Sequence, residues 1–176
     1  LLAGAWLALQ SPAVLARIFA QQAEVRLGQQ RANADLFDDT ALRVILCGTS
    51  APVADRDRAK SCTLVIAGAR AFVVDAGPES WKTLALIGFP GERIAGVLLT
   101  HFHSDHIGDL GEFRLQTWVA GRKSMLPVYG PQGVAQVTAG FNQAYGLDDI
   151  HRAAHHGAAI APIGVAPLLA KPFAVG

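Results

Sequence analysis

One short stretch decides how this chain is interpreted, and it reads Leu98-Leu99-Thr100-His101-Phe102-His103-Ser104-Asp105-His106-Ile107-Gly108. Three histidines and an aspartate fall within the six residues from His101 to His106. The apolar residues just before them predict a buried strand that leads directly into the cluster. Imidazole and carboxylate groups are common zinc ligands. The stretch therefore predicts a metal site immediately after a strand.

The spacing divides the four side chains into two pairs. His101 and His103 are two residues apart, so an extended chain places both on one side, where they can share an ion. Asp105 and His106 follow where the chain must turn, which can aim them at a second ion nearby. Nitrogen and oxygen ligands at about 2.0–2.2 Å suit Zn²⁺, and two ions roughly 3.5–4 Å apart can activate one bridging hydroxide. The absence of cysteine from the cluster favours catalysis over a closed structural site.

Two alternative interpretations of the histidines differ in strength. Ordinary loop histidines at His101, His103 and His106 are the weaker alternative, because a strand precedes them and a glycine-containing turn follows. His151, His155 and His156 lie in a polar to alanine-rich stretch with no strand before it. We expect these three to be solvated loop residues.

The composition indicates one folded domain without a strong charge. The chain has 176 residues, of which 51% are hydrophobic and 16% charged, enough for a real core. Fifteen basic and 14 acidic residues leave a formal charge of +1, so bulk charge does not support a nucleic-acid partner, although a local patch is left open. Cys47 and Cys62 are too few for a disulfide framework, but they can pair in an oxidising compartment.

Three segments follow one another along the chain. Residues 1–20 begin with an uncharged, apolar run that is typical of an export signal or a membrane anchor, with a plain amphipathic helix as the alternative. Residues 21–41 predict a polar helical connector, and residues 42–176 form the main domain. From the first segment we expect the protein to be exported or membrane-anchored on the periplasmic side rather than cytoplasmic.

The main domain alternates strand and helix patterns. Apolar, β-rich runs predict strands at 42–47, 62–67, 71–75, 94–100 and 126–130, with a hairpin joining the second and third. Helical periodicity predicts helices at 79–87, 109–120 and 131–145. This order favours a layered α/β (α+β) sandwich over an all-parallel sheet.

These motifs resemble the metallo-β-lactamase superfamily. The pattern His101-x-His103-x-Asp105-His106 after the strand is similar to the superfamily signature. Four further stretches resemble the ribonuclease Z and arylsulfatase-like branch, and they are Leu46-Cys47-Gly48-Thr49-Ser50-Ala51-Pro52, Arg58-Ala59-Lys60-Ser61-Cys62-Thr63, Val73-Val74-Asp75-Ala76-Gly77 and Leu126-Pro127-Val128-Tyr129-Gly130-Pro131. The similarity covers about 42–145.

The resemblance implies a fold and a set of roles. The fold would be the N-terminal half of a four-layer αββα sandwich, preceded by an N-terminal helix. His101 and His103 would ligate the first of two zinc ions, and Asp105 and His106 the second, with Asp105 also handling the proton of the attacking water. Asp75 would hold the metal loop without ligating. Gly48, Thr49 and Ser50 are candidate donors at the mouth of the site, with a plain tight turn as the alternative.

The resemblance also implies ligands that we cannot place in this chain. Family members add a later histidine, a bridging aspartate and a final histidine, so we expect residues 42–176 to be a C-terminally truncated domain with little activity by itself. We expect a zinc-dependent hydrolase that cleaves a phosphodiester or a sulfate ester, with a small ester as another substrate. The alternatives are a tRNA 3′-processing endoribonuclease proper and a non-catalytic metal-binding fragment or interaction module. A homodimer is left open.

Overall fold

The computed structural model describes Ser11, Val14, Arg17, Leu36, Phe37 and residues 40–174. The chain divides into two compact units, Leu1–Leu36 and Phe37–Gly176. Most of the expected signal or anchor segment, and nearly all of the expected connector, lie outside the described residues. The fold described below is that of the second unit.

Six strands form one mixed sheet in chain order. They are β1 (Leu42–Gly48), β2 (Cys62–Ala67), β3 (Arg70–Val74), β4 (Ile94–Leu98), β5 (Leu126–Gly130) and β6 (Leu168–Pro172). β2 is antiparallel to both of its neighbours, β1 and β3, and the strands from β3 to β6 run parallel to one another. The predicted hairpin is confirmed: β2 and β3 are joined by a tight turn in which Gly68 has a φ of 57°, a conformation that glycine adopts without strain.

Within the described part of the second unit, four α-helices connect or follow these strands. They are α1 (Ser80–Leu86), α2 (Ser104–Ile107), α3 (Leu110–Val119) and α4 (Val134–His156), and short 3₁₀ turns occupy Gly91–Arg93 and Ile163–Val165. The mixed α/β class is confirmed, and the predicted strands and the first two predicted helices agree with the structure to within two residues.

Helix α4 ends at His156, which is eleven residues beyond the end that the sequence predicted at Tyr145. A buried ion pair accounts for the extension: the Arg114 guanidinium on α3 donates to both carboxylate oxygens of Asp149. This contact links residues 35 positions apart, so local pattern does not predict it. The expectation of loop conformation for His151, His155 and His156 is therefore wrong, although all three are exposed.

The two faces of the sheet differ in how well they are covered. One face is buried beneath the helices, where Leu84, Phe113, Trp118 and Val134 are all 0% exposed. Register places Val44, Val65 and Phe72 in one row on the other face. Exposed or half-buried apolar side chains line that face, and they are Leu42, Val44, Leu46, Val65, Phe72, Val74, Leu98 and Tyr129. In the described chain this second face has no covering layer, as expected for half of a layered sandwich.

A disulfide joins the first two strands next to a β-bulge. Cys47 and Cys62 are bonded, with Cα atoms 5.0 Å apart, and each is 1% exposed. The bulge falls between Leu46 and Gly48, opposite the start of β2. The sequence left open whether the two cysteines form a disulfide. They do so because the end of β1 lies next to the start of β2.

Candidate metal centre

The histidine cluster lies at the carboxyl edge of the parallel strands. β4 ends at Leu98, and the chain continues through Thr100 to His103, where helix α2 begins. The Leu99 N–H donates to the Tyr129 carbonyl at 2.7 Å, which anchors the start of this loop to β5. The carboxyl edge of parallel strands is where α/β proteins commonly place ligand sites. We call residues 100–108 the metal loop.

Asp75 organises the metal loop from the end of β3. Its carboxylate is 4% exposed and accepts hydrogen bonds from the Thr100 N–H at 2.8 Å and from the Thr100 hydroxyl at 2.9 Å. The same carboxylate lies 2.7 Å from Nδ1 of His106. The expected supporting role of Asp75 is consistent with these contacts, since a buried carboxylate needs several donors to remain ionised.

These contacts determine which ring nitrogens remain available. An ionised Asp75 only accepts, so Nδ1 of His106 is the donor, and in the neutral ring the lone pair is then on Nε2. The single hydroxyl proton of Thr100 goes to Asp75, so the hydroxyl accepts from Nδ1 of His101 at 3.0 Å. In the neutral tautomer that these contacts select, both histidines present an unprotonated Nε2, the form that binds a metal.

The rings of the cluster lie close to one another. The ring centroid of His101 is 4.0 Å from that of His106 and 4.7 Å from that of His103. The Asp105 carboxylate approaches Nε2 of His106 at 3.5 Å. The structure thus brings together all four residues that the sequence nominated as ligands.

Backbone geometry holds the metal loop against the segment after β3. The Ala76 N–H donates to the His106 carbonyl at 2.7 Å, and the Asp109 N–H donates to the Ala76 carbonyl at 2.8 Å. Asp75 itself has a φ of 60°, a left-handed conformation that is unfavourable for a residue with a side chain. A Cβ atom on Gly77 would lie 2.2 Å from the Asp105 carbonyl oxygen, so only glycine allows this approach.

Asp109 ties the loop to helix α1. Its Oδ2 accepts a hydrogen bond from the Trp81 N–H at 2.8 Å. Burial raises the pKa of the Asp109 carboxyl above its usual value, and the hydrogen bonds to the backbone of Trp81 and Glu79 offset part of that rise. Thr100, Gly77 and Asp109 were not nominated as site residues from the sequence. Thr100 and Asp109 lie next to the histidines along the chain, whereas Gly77 belongs to the stretch 73–77.

The donors suit zinc in chemical type but fall short in number. Within the described residues, no group of three His, Cys, Asp or Glu side chains is arranged to hold a metal ion. A catalytic zinc normally takes three protein ligands and a water molecule, so two pairs of donors form an incomplete set. The assignment of zinc ligands at His101, His103, Asp105 and His106 stays a prediction.

Gly48, Thr49 and Ser50, which the sequence suggested as donors at the mouth of the site, make close contacts with the neighbouring segment 59–60 instead. The Thr49 and Ser50 N–H groups both donate to the Ala59 carbonyl, at 3.0 and 2.9 Å. A Cβ atom on Gly48 would meet the Lys60 carbonyl oxygen at 1.6 Å. These contacts favour the tight-turn alternative, because the two N–H groups already have acceptors.

A separate apolar cleft of about 540 Å³ adjoins the metal loop. Phe102 and Ile107 of the loop line one side, and Val137 and Phe141 of helix α4 line the other. A Cβ atom on Gly133, whose φ is 104°, would lie 3.1 Å from the Phe102 ring. The side chain of Phe102 is thus positioned by the start of α4.

Comparison with known proteins agrees with this geometry. Residues 55–163 match the Metallo-beta-lactamase superfamily. The chain is 43% identical over 118 residues to ribonuclease Z of Mycobacterium bovis, covering 65% of this chain and 42% of that protein. It is 41% identical over 118 residues to ribonuclease Z of Mycolicibacterium gilvum, covering 65% of this chain and 41% of that protein. The chain thus spans less than half the length of these relatives.

One solved structure has a similar fold. The crystal structure of human tRNase Z, short form, superposes with a TM-score of 0.57 at 17% identity, covering 76% of this chain and 45% of that chain. At this level of identity the likeness concerns the fold alone.

The comparisons contradict the expected export or membrane anchoring on the periplasmic side. The relatives are ribonucleases, and an exported protein leaves the compartment where RNA precursors are made. Among the residues that the structure describes, no helix has both the length and the apolar character needed to span a membrane. The expectation of a periplasmic or membrane-anchored protein is therefore wrong, while the assignment of 1–20 as a signal or anchor segment stays a prediction.

The family assignment rests on the sequence match and on the sheet, helices and histidine loop in their expected order. The match at 55–163 includes the whole metal loop and more than half of the chain. This chain belongs to the metallo-β-lactamase superfamily.

Proposed function

We propose that this chain carries the metal loop of a ribonuclease Z-like hydrolase that cleaves a phosphodiester bond in RNA. The observation that carries the proposal is the pair of histidines whose Nδ1 atoms are both engaged, one by Asp75 and one by Thr100. That arrangement leaves the Nε2 atoms of two neighbouring rings, whose centroids are 4.0 Å apart, for binding a metal.

His101 and His103 would hold one zinc ion, and Asp105 and His106 a second. Bound zinc supplies Lewis acidity that makes water a nucleophile at neutral pH. Asp105, whose side chain is 12% exposed, would accept the proton that the attacking water loses. Asp75 would keep the His106 ring oriented throughout. The remaining ligands would come from a part of the relatives' length that this chain does not span.

RNA is favoured over a sulfate ester or another small ester for two reasons. The relatives that the chain matches are ribonucleases. In addition, Phe102 and Phe141 are partly exposed in the cleft beside the metal loop, and nucleobases stack on aromatic rings. A non-catalytic interaction module would need neither the oriented histidines nor this cleft.

Zinc binding by the chain tests the proposal directly. Isothermal titration of the metal-free chain with Zn²⁺ should show binding that is lost in the double variant His101→Ala/His103→Ala. The matched control is His151→Ala/His155→Ala, which removes two exposed histidines from α4. Equal zinc binding by both double variants would contradict the proposed site.

The reaction needs a second test, because zinc binding does not identify a substrate. A protein in which this chain is joined to the missing portion of a ribonuclease Z relative should cleave RNA. Asp105→Asn in that protein should lower kcat by roughly 10²–10⁴-fold, the usual contribution of a general base. Unchanged kcat would exclude Asp105 from proton transfer.

A further inference from the structure

A second cleft, of about 410 Å³, lies at the edge of the sheet opposite to the metal loop. Three connections surround it: the β2–β3 turn, the 3₁₀ turn before β4, and the loop between α3 and β5. Its charged or polar lining residues are Arg70, Glu92, Arg93, Arg122, Lys123 and Ser124. Because β3, β4 and β5 are parallel, their amino ends meet here and their carboxyl ends meet at the metal loop.

The cleft is strongly basic for a chain with a net charge of only +1. It contains four cationic side chains and one carboxylate, that of Glu92. Among the described residues, none of these four cations forms an ion pair with a carboxylate. The local excess of positive charge is therefore not neutralised within this part of the protein.

Arg122 contributes a buried positive charge to the cleft. It is 5% exposed, and its guanidinium donates to the carbonyls of Val165 at 2.7 Å and Ala166 at 3.0 Å, and also to the carbonyl of Ser124. These acceptors satisfy its hydrogen bonds without cancelling its charge. Burial lowers the pKa of Arg122 to about 10, so the side chain is still cationic at neutral pH.

The other three cations are positioned to reach an anion. Arg70 and Lys123 are exposed at two sides of the cleft. The Arg93 guanidinium stacks on the Phe37 ring at 4.7 Å, and a stacked guanidinium keeps its N–H groups free at its edge. Guanidinium forks match the oxygens of a phosphate group, and an ammonium adds a mobile point charge.

Resting on the proposed function, we propose that this cleft binds phosphate groups, and that the backbone of an RNA strand supplies them. β4 runs for five residues between the two edges, which separates the cleft from the metal loop by about 17 Å at roughly 3.3 Å per residue. A strand of several nucleotides spans that distance. The cleft would add affinity without sequence preference, since phosphate contacts position a nucleic acid and do not read it.

Binding of a labelled single-stranded RNA 12-mer tests the proposal by fluorescence anisotropy at several salt concentrations. Chelator is present, so the result does not depend on zinc or on cleavage. The variant Arg70→Ala/Lys123→Ala should bind roughly tenfold more weakly. Its slope of log K against log salt should become shallower by about 1.4, or 0.7 for each lost phosphate contact.

The matched control is Lys82→Ala/Arg152→Ala, which removes the same charge from α1 and α4 outside the cleft. All four positions are outside the buried core, and thermal melting of both double variants checks that they fold. If the two double variants weaken RNA binding equally, the effect is one of general charge and the proposal is overturned. The proposal is also overturned if neither double variant changes RNA binding.

Competition with inorganic pyrophosphate separates the two sources of phosphate. Displacement of RNA only at millimolar pyrophosphate supports the RNA backbone as the ligand. A second outcome is that pyrophosphate binds tightly to the wild type and weakly to Arg70→Ala/Lys123→Ala, while neither protein binds RNA. That result would support a phosphate site in the cleft but overturn RNA as the source of the phosphate groups.

Discussion

Nδ1 of His106 lies 2.7 Å from Oδ2 of Asp75, across 31 residues of chain. Oδ1 of the same carboxylate accepts a hydrogen bond from the Thr100 N–H at 2.8 Å, so one side chain connects Thr100 and His106 of the metal loop. This connection sets the ring orientation before any ligand arrives. Its loss should therefore affect metal affinity more than folding.

Asp75→Asn tests that role. The amide cannot accept at both of its terminal atoms, so His106 loses its partner or adopts the wrong tautomer. We expect zinc affinity to fall by about 10–100-fold, the usual effect of removing a residue that orients a ligand. Titration with a competing chelator measures it.

Asp55→Asn is the control for Asp75→Asn. Asp55 also accepts backbone hydrogen bonds, at 3.0 Å from Asp57 and Arg58, in a loop apart from the histidines. An equal loss of zinc affinity in both variants would contradict a specific role for Asp75.

Gly77→Ala should disturb the metal loop through contact alone. Its added methyl group would lie 2.2 Å from the Asp105 carbonyl oxygen, and relief requires backbone movement. We expect a loss of about 1–3 kcal/mol in the free energy of unfolding, as for other overpacked sites. Urea denaturation measures this, and zinc affinity should fall in parallel.

Gly140→Ala provides the matched control, since apart from the adjacent residues and the backbone of α4 itself nothing lies within 4 Å of its added methyl group. Alanine in a helix should stabilise by about 0.4–1 kcal/mol. A Gly77→Ala variant as stable as Gly140→Ala would contradict the close approach of the two segments.

The raised pKa of Asp109 predicts a pH dependence of stability. Burial disfavours the ionised form of the Asp109 carboxyl, so this carboxyl destabilises the folded protein most at pH values above its folded pKa. Its unfavourable contribution shrinks as pH falls through the folded pKa and is gone below the unfolded pKa, where both states are protonated. Asp109→Asn keeps an oxygen acceptor for the Trp81 N–H and carries no charge.

We therefore expect Asp109→Asn to be at least as stable as the wild type at pH 7, with the difference shrinking toward acid pH. Urea midpoints across that range measure it. A variant clearly less stable at pH 7 would mean that the hydrogen bonds to the ionised carboxylate outweigh its burial.

The Cys47–Cys62 bridge should stabilise the isolated chain. It closes a loop with a sequence separation of 15, for which restriction of the unfolded chain contributes about 3 kcal/mol. We expect Cys47→Ser/Cys62→Ser, or added reductant, to lower the free energy of unfolding by that amount, and with it the denaturant midpoint. If reductant leaves the midpoint of the wild type unchanged, the cysteines are thiols in solution, as a reducing compartment would keep them.

The uncovered sheet face should bind hydrophobic probes. Val44 and Leu46 are 58% and 65% exposed and lie beside the apolar side chains of β2 and β3. A patch of this kind on a chain in isolation promotes dye binding and association. Val44→Lys/Leu46→Lys should reduce the fluorescence of a bound naphthalene sulfonate dye, whereas Val53→Lys in the exposed loop should not.

Sequence pattern predicted the parts of this protein that depend on neighbouring residues. Alternation and turn residues defined five strands, and the spacing of His101 and His103 placed them on one loop. What it missed depends on distant contacts. Strand β6 begins where Asn142 hydrogen-bonds both backbone groups of Leu168, at 2.8 and 3.0 Å, across 26 residues. Likewise Asp109 and Thr100 acquire their roles only when β3 and β4 are adjacent.

The six strands lie in the sheet in the same order as they occur along the chain, and this order affects how the protein can fold during synthesis. Each strand from β2 to β6 can pair with the one completed just before it, so no strand waits for a distant partner. During translation the sheet can grow from one edge as the chain emerges. The histidine loop would then be shaped as soon as β5 follows β4, while the rest of the polypeptide is still on the ribosome.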